Sequence, residues 1–227
     1  MDQDFVDQTK NKNLSRFADL FAKYGIDERS LGSTKHKNHF RYKRMLEMMN
    51  PQNGSLLDVG SGFGDLFAFL RQNRKYDAVK YHGVEFVPEF VEAAKELHPG
   101  ASFEQADFLR WETKGKFDFV FQCGCFFNLA PDEEEKSYDY IDSFIRKVMS
   151  ILADNGVAAI HFLTDKVDYK TSELDFHVSP ERILGIAYRY SRRVLLDNGF
   201  FPFEACLILY KNDSFRKETT IFTAVEK

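Results

Sequence analysis

Cysteine is scarce in this chain: three residues in 227, too few for a disulfide framework. Cys123 and Cys125 are separated by a single residue, not the C-x-x-C spacing of zinc or redox pairs, and no histidine stands near them in sequence. No metal site is expected. Long hydrophobic runs are missing too, so nothing reads as a membrane span. The opening residues, Met1-Asp2-Gln3-Asp4, lack the basic-then-apolar order of a signal peptide. A soluble, cytoplasmic protein with no membrane partner is the expectation. Nor is there an excess of positive charge: 31 Lys+Arg against 35 Asp+Glu give a formal net charge of −4. No global basic field would recruit nucleic acid. The local exception is Lys35-His36-Lys37 with Arg41, Lys43 and Arg44, the solvated face of a helix or an anion contact. Internal repeats and low-complexity segments are absent.

Phenylalanine, by contrast, is abundant, with 24 residues. That suits an aromatic-rich core, or a pocket for an apolar or aromatic substrate. The most informative stretch runs from Leu56 to Asp65. An apolar run, Leu56-Leu57-Asp58-Val59, ends in glycines at 60, 62 and 64, and the apolar segment Leu66 to Leu70 follows. A buried strand, a tight turn and a helix are implied, with glycines where backbone passes close to a ligand. A dinucleotide fingerprint starting at Gly60 would need glycine at position 65, where Asp65 stands. Tyr81 to Glu85 reads as a second strand ending in a carboxylate, roughly 20 residues on, the spacing at which an acid takes ribose hydroxyls. Ala101 to Ala106 reads as a third strand, followed by Asp107-Phe108, and Phe117-Asp118-Phe119-Val120-Phe121 as a fourth.

In that order these segments resemble the class I S-adenosylmethionine-dependent methyltransferases. The likeness rests on Asp58-x-Gly60-x-Gly62-x-Gly64, Glu85, Asp107-Phe108 and Phe117-Asp118-Phe119-Val120. The Gln122–Asn128 turn and the strand ending at Tyr210 are similar to those of bacterial small-molecule methyltransferases. The resemblance implies an α/β fold: a Rossmann-like, doubly wound, seven-stranded, mostly parallel sheet with an antiparallel C-terminal hairpin. It also implies S-adenosylmethionine as cofactor and S-adenosylhomocysteine as product. The implied cofactor-binding residues are Asp58, Gly60, Ser61, Gly62 and Gly64 near the methionine part and ribose, and Glu85 with Phe86 at the ribose hydroxyls. Asp107 and Phe108 would meet the adenine, Gln122 follows the fourth strand, and Arg41 would pair with the cofactor carboxylate.

Periodicity supplies the remaining elements. Residues 1 to about 13 read as polar and frayed. Leu14, Phe17, Ala18, Phe21 and Ala22 form the stripe of a short amphipathic helix that Gly25 ends, and a second helix is expected from about His36 to Met49. Strands are expected near 55–60, 81–86, 101–106, 117–122 and 156–163, and helices near 64–73, 88–97, 134–153 and 180–197. Two β-rich runs, Glu204 to Tyr210 and Thr219 to Val225, read as the closing hairpin. Residues 1–50 would form a helical lid on a methyltransferase domain at 51–227.

Methyl transfer from a sulfonium needs alignment and water exclusion, and a base only where the acceptor is protonated. The base candidates are His161, Tyr169 and His177, with Asp165, Asp175 and Tyr188 behind them. His161 lies within an apolar strand and reads as a core histidine; Cys123 and Cys125 read as inert small residues. The long connection Thr164 to Ser179 reads as a wall of the acceptor site. No Asp/Asn-Pro-Pro-aromatic tetrapeptide, the mark of base amino-methylation, follows the fourth strand. The expected partner is a small-molecule methyl acceptor, methylated on N or O. The alternatives are an RNA or protein methyltransferase using the Lys35–Arg44 cluster, or an inactive cofactor-binding partner subunit.

Overall fold

The computed structural model describes residues 2–32, 38–168, 172, 175–199 and 201–212. Its middle layer is a sheet that begins with five parallel strands: β1 (Asn53–Val59), β2 (Ala78–Glu85), β3 (Ser102–Gln105), β4 (Phe117–Cys123) and β5 (Leu152–Thr164). A two-residue strand, β6 (His177–Val178), pairs with the end of β5. Then β7 (Val194–Asp197) and β8 (Glu204–Tyr210) complete the order β3-β2-β1-β4-β5-β8-β7. β8 runs antiparallel to both β5 and β7. Helices α1 (Gln3–Tyr24), α2 (Asn38–Met49), α3 (Asp65–Arg71), α4 (Pro88–Leu97), α5 (Glu134–Ile151) and α6 (Pro180–Ala187) surround it. This is the Rossmann-like arrangement expected, with eight strands among the described residues rather than seven.

Side-chain alternation along the strands divides the core. Leu57 and Val59 face the layer of α5 and α6, while Leu56 faces that of α2, α3 and α4. β5 is covered on both sides, so Val157 to Thr164 is buried without alternation. Pro88 and Pro180 each open a helix, where the missing N–H is not needed.

Three expectations change. Residues 1 to 13 are not frayed: α1 starts at Gln3, capped by Asp2 accepting from the Asp4 and Phe5 N–H groups, and buries Phe5 and Val6. Their polar neighbours belong to the faces of one long helix, which Gly25 ends at φ 64°. The helix expected at 180–197 stops at Ala187, and Val194–Asp197 is a strand. Val194, Leu195 and Leu196 pair with Leu209, Ile208 and Leu207, and that pairing overrides their compatibility with a helix. The antiparallel hairpin is therefore β7–β8; Thr219 to Val225 lies outside the described residues.

Candidate active site

Parallel strands carry their carboxyl ends to one edge, and the turns beyond that edge are where α/β sheets bind ligands. Here β1, β2 and β4 end level with one another, Val59 lying opposite Val84 on one side and Gln122 on the other. Their turns, the segment after β3, and helices α1 and α2 enclose a cavity of about 700 Å³. That falls within the roughly 300–1,000 Å³ of small-molecule sites.

The glycine turn forms one wall. Gly60 donates to the Val84 carbonyl at 2.8 Å, tying the end of β1 to β2. Gly60 and Gly64 adopt φ of 74° and 83°, a region that L side chains rarely occupy. A Cβ on Gly60 would come within 2.6 Å of the Cys125 sulfur, and one on Gly64 within 2.7 Å of Phe103 and His98. So protein packing, and not only the approach of a ligand, demands these glycines. Gly64 itself lies off the cavity wall. We expect Gly64→Ala to destabilise the fold by about 1–3 kcal/mol, from backbone strain plus the clash. A urea-melt midpoint equal to that of the parent would refute this.

Glu85 ends β2 on the same wall, 6% exposed. Its Oε1 accepts the N–H of Phe86 at 2.7 Å and of Val87 at 3.0 Å, and its Oε2 accepts the N–H of Gly62 at 3.0 Å. Burial pushes its pKa up, while these three N–H donors oppose the shift. Three of the carboxylate's four or so acceptor positions are thereby used, and the remaining one is on Oε2. Ser61 Oγ, buried on this wall, has no partner among the described residues. Asp107 follows β3, and the neighbouring Ala106 N–H donates to the Glu85 carbonyl at 2.9 Å. Its Oδ1 accepts the Leu109 N–H at 3.2 Å, and Lys10 of α1 reaches its Oδ2 at 3.2 Å. Asn13 and Arg16 of α1 donate to the backbone carbonyl and side chain of Asn128, and Asp7 accepts from Arg110. Phe17 and Phe21 pack on Phe90 with ring centroids 5.7 and 6.0 Å apart. α1 therefore spans the cavity beside Glu85 and Asp107.

Of the predicted cofactor residues, Arg41, Gly60, Ser61, Gly62, Glu85, Phe86, Asp107 and Phe108 line the cavity. Three do not. Gly64 sits just behind the wall. Asp58 faces the α2–α3 layer, where it is 4% exposed and accepts from the Tyr81 hydroxyl at 2.7 Å. Gln122 is fully buried, its Oε1 accepting the His161 N–H at 2.9 Å. Arg41 is on the wall, but its fork is engaged: Nε and Nη2 donate to Glu204 at 2.9 and 2.5 Å, and Nη1 to Asn38 at 2.8 Å. His161 lies behind the wall, its Nε2 2.9 Å from Glu204 Oε2. His177 is on β6, away from the cavity lining, as are Asp165 and Tyr188, whereas Asp175 lines it. Tyr169 lies outside the described residues, with Lys35, His36 and Lys37. Arg44 pairs with Asp197 at 2.7 and 3.1 Å.

Sequence reasoning missed several wall residues, among them Lys10, Asp65 and Glu204. Lys10 looked like part of a frayed end. Asp65 opens α3, buried enough that its pKa is raised, with His98 and His39 opposing; an acid straight after a glycine turn was its only signal. Glu204 was read merely as the first residue of a strand, yet it is fully buried on the wall. An acid heading the apolar run Ala205 to Leu209 could have been noticed. Aromatic lining, one of the two readings of the phenylalanines, holds for several: Phe127 and Phe203 line the end toward Glu204, while Phe86, Phe90 and Phe108 line the other. Others, such as Phe121, Phe126 and Phe162, are fully buried in the core, whereas Phe40 is exposed.

A family model described as a methyltransferase domain matches residues 57–158. No curated protein sequence matches the chain. Solved structures share its fold. DhpI in complex with S-adenosylhomocysteine is similar at a TM-score of 0.63 and 14% identity, over 92% of this chain and 97% of that one. Magnesium protoporphyrin IX methyltransferase (ChlM) from Synechocystis PCC 6803, also with bound S-adenosylhomocysteine, is similar at 0.62 and 13%, over 92% and 100%. The [4+2]-cyclase SpnF is similar at 0.61 and 13%, over 78% and 81%. Residues 57–158 thus match a methyltransferase domain, in a chain that shares the fold of these solved structures. Among the described residues, no helix is long and apolar enough to cross a membrane.

Proposed function

Proceeding from a methyltransferase domain on a class I methyltransferase fold, we propose that this chain is an S-adenosylmethionine-dependent methyltransferase acting on N or O of a small molecule. One observation carries the reading. Glu85, Asp107 and the positive-φ glycine turn meet in a single cavity that several phenylalanines also line. When bound, S-adenosylmethionine supplies a methyl group on a sulfonium.

The chain's own residues fit that group. Glu85 keeps an acceptor position on Oε2 for a ribose hydroxyl, and Ser61 lies on the same wall. Asp107 would accept from the adenine amino group, with Phe108 against the ring. Asp65, at the start of α3, suits the ammonium of the methionine part, a role the sequence reading gave to no residue. Beyond the glycine turn, Phe127, Leu163 and Phe203 offer apolar walls to the acceptor and exclude water from it. α1 and α2 act as the lid. The RNA reading is weakened because two arginines of the basic cluster, Arg41 and Arg44, are held by Glu204 and Asp197.

Calorimetry with S-adenosylmethionine and S-adenosylhomocysteine, with NAD as control, tests the cofactor. Binding of the first two without NAD is expected; no binding of either would overturn the reading. Glu85→Ala, in a variant whose melt shows it folded, should weaken cofactor binding by about 1.5–3 kcal/mol, roughly ten- to a hundred-fold in Kd. Unchanged affinity would remove Glu85 from the site. A labelled methyl donor with candidate small acceptors then separates methyl transfer from the other chemistry this fold can host.

A further inference from the structure

The cavity wall at the end of β4 carries a second arrangement that cofactor binding does not use. Cys123 is the last residue of β4 and pairs across the sheet with His161 of β5. Its sulfur lies 3.7 Å from His161 Nδ1. On the other side of β5, Leu163 pairs with Glu204, which reaches diagonally to His161 Nε2 at 2.9 Å. An ionised carboxylate only accepts, so the proton of the neutral imidazole sits on Nε2 and the Nδ1 lone pair faces the thiol. Arg41 holds Glu204 ionised from both oxygens, locking that tautomer. His161 is fully buried behind the wall, whereas Cys123, like Glu204 and Cys125, lines the cavity.

The other two cysteines lack this setting. Cys125 donates to the Val59 carbonyl at 3.4 Å, and Cys206 is fully buried beside the Leu207 carbonyl. A thiol within reach of an oriented base is the arrangement of an activated nucleophile. We propose that Cys123 is a nucleophilic modification site, assisted by His161 as base and Glu204 as its orienting group, for small uncharged carbon electrophiles that enter the cavity. With iodoacetamide the step balances simply. The sulfur forms a bond to the CH₂ carbon, iodide leaves, and the thiol proton passes to His161 Nδ1 and then to solvent.

Burial pushes the Cys123 thiol up to about 12 and lowers the pKa of His161, so the pair rests as thiol and neutral imidazole. The charged and titratable groups around it are Arg41 and Tyr42 on α2, Glu204 and Cys206 on β8, Asp58 on β1, and Cys125 two residues further along the chain. A neutral pair reacts at a rate independent of pH until His161 protonates. An ordinary thiol, reacting as thiolate, slows roughly tenfold per pH unit below its pKa.

The test is alkylation of the full chain by iodoacetamide, followed site by site by peptide mass spectrometry. Cys123 should react roughly tenfold or more faster than Cys125 and Cys206, with a flat profile from mildly alkaline to mildly acidic pH. His161→Asn should remove both the advantage and the flat profile. Glu204→Gln should slow Cys123 less. Cys125 and Cys206 report on folding within the same molecule, because both accelerate if a variant opens. Equal rates at the three cysteines of the folded parent would overturn the proposal. So would a Cys123 rate that falls with pH like that of a free thiol, or a folded His161→Asn chain with Cys123 still fastest. None of these outcomes depends on cofactor binding, so failure here leaves the methyltransferase reading untouched.

Discussion

Replacing Arg41 with methionine should unfold this protein more easily than any surface substitution, by about 3–5 kcal/mol, the usual consequence of removing one partner of a buried ion pair. Methionine keeps the apolar stem that an arginine buries, so the loss is chiefly electrostatic. Among the described residues, Glu204, with 0% side-chain exposure, would keep only His161. For a chain of this size the melting temperature should fall by roughly 10 °C. The pH dependence gives the sign. Burial would raise the Glu204 pKa, but hydrogen bonds from Arg41 and His161 hold it well below its ordinary 4.5. Stability from such a depressed carboxylate is fully present above 4.5 and is lost as pH falls through the folded value. The Arg41→Met deficit should therefore be widest near neutral pH and narrow in acid. Adding Glu204→Gln should recover part of the loss, since it removes the stranded charge. A single variant melting with the parent at neutral pH would show that the pair contributes nothing.

Asp58→Asn should do the opposite and stabilise the fold, most strongly at alkaline pH. Asp58 is buried under the glycine turn, and burial, with Glu85 nearby, pushes its pKa from 3.8 to about 7 despite the hydrogen bond from Tyr81. A raised carboxylate acts in the reverse sense to Glu204. The folded state holds its proton where the unfolded chain has already released one. The stability is fully present below 3.8 and is lost as pH rises to about 7, a total of roughly 4 kcal/mol. Asparagine keeps an oxygen for the Tyr81 hydroxyl at nearly the same volume and cannot ionise. Thermal melts of parent and variant should therefore diverge between mildly acidic and mildly alkaline pH. Parallel curves would mean that Asp58 ionises at its ordinary value.

These two residues also show where sequence reasoning reached its limit. Asp58 and Arg41 were both expected to touch the cofactor. The acid precedes the glycine turn as the family pattern requires, but strand alternation, which follows from position alone, turns it toward Tyr81 and away from the cavity. Arg41 does reach the wall. Its fork is taken by Glu204, 163 positions away in sequence, and no local pattern reports such a partner. Lys10 was hidden for the same reason, because its partner Asp107 is 97 residues distant.

The parallel strands, the glycine turn and the acids at 85 and 107 were legible because each is a local rule. Apolar runs make buried strands, positive φ needs glycine, and a strand's last residue sits at the carboxyl edge. The helix α4 spans the predicted 88–97, with proline at its first position. The sequence by itself therefore determined the parallel strands, the turn and the family likeness. Only the tertiary structure decided that α1 lies across the cavity, that Val194–Asp197 is a strand, and that Cys123, His161, Glu204 and Arg41 form one connected group. Those depend on register between β4, β5 and β8 and on the docking of helices. Both are set by which distant surfaces bury each other best, a quantity that no short stretch of residues contains.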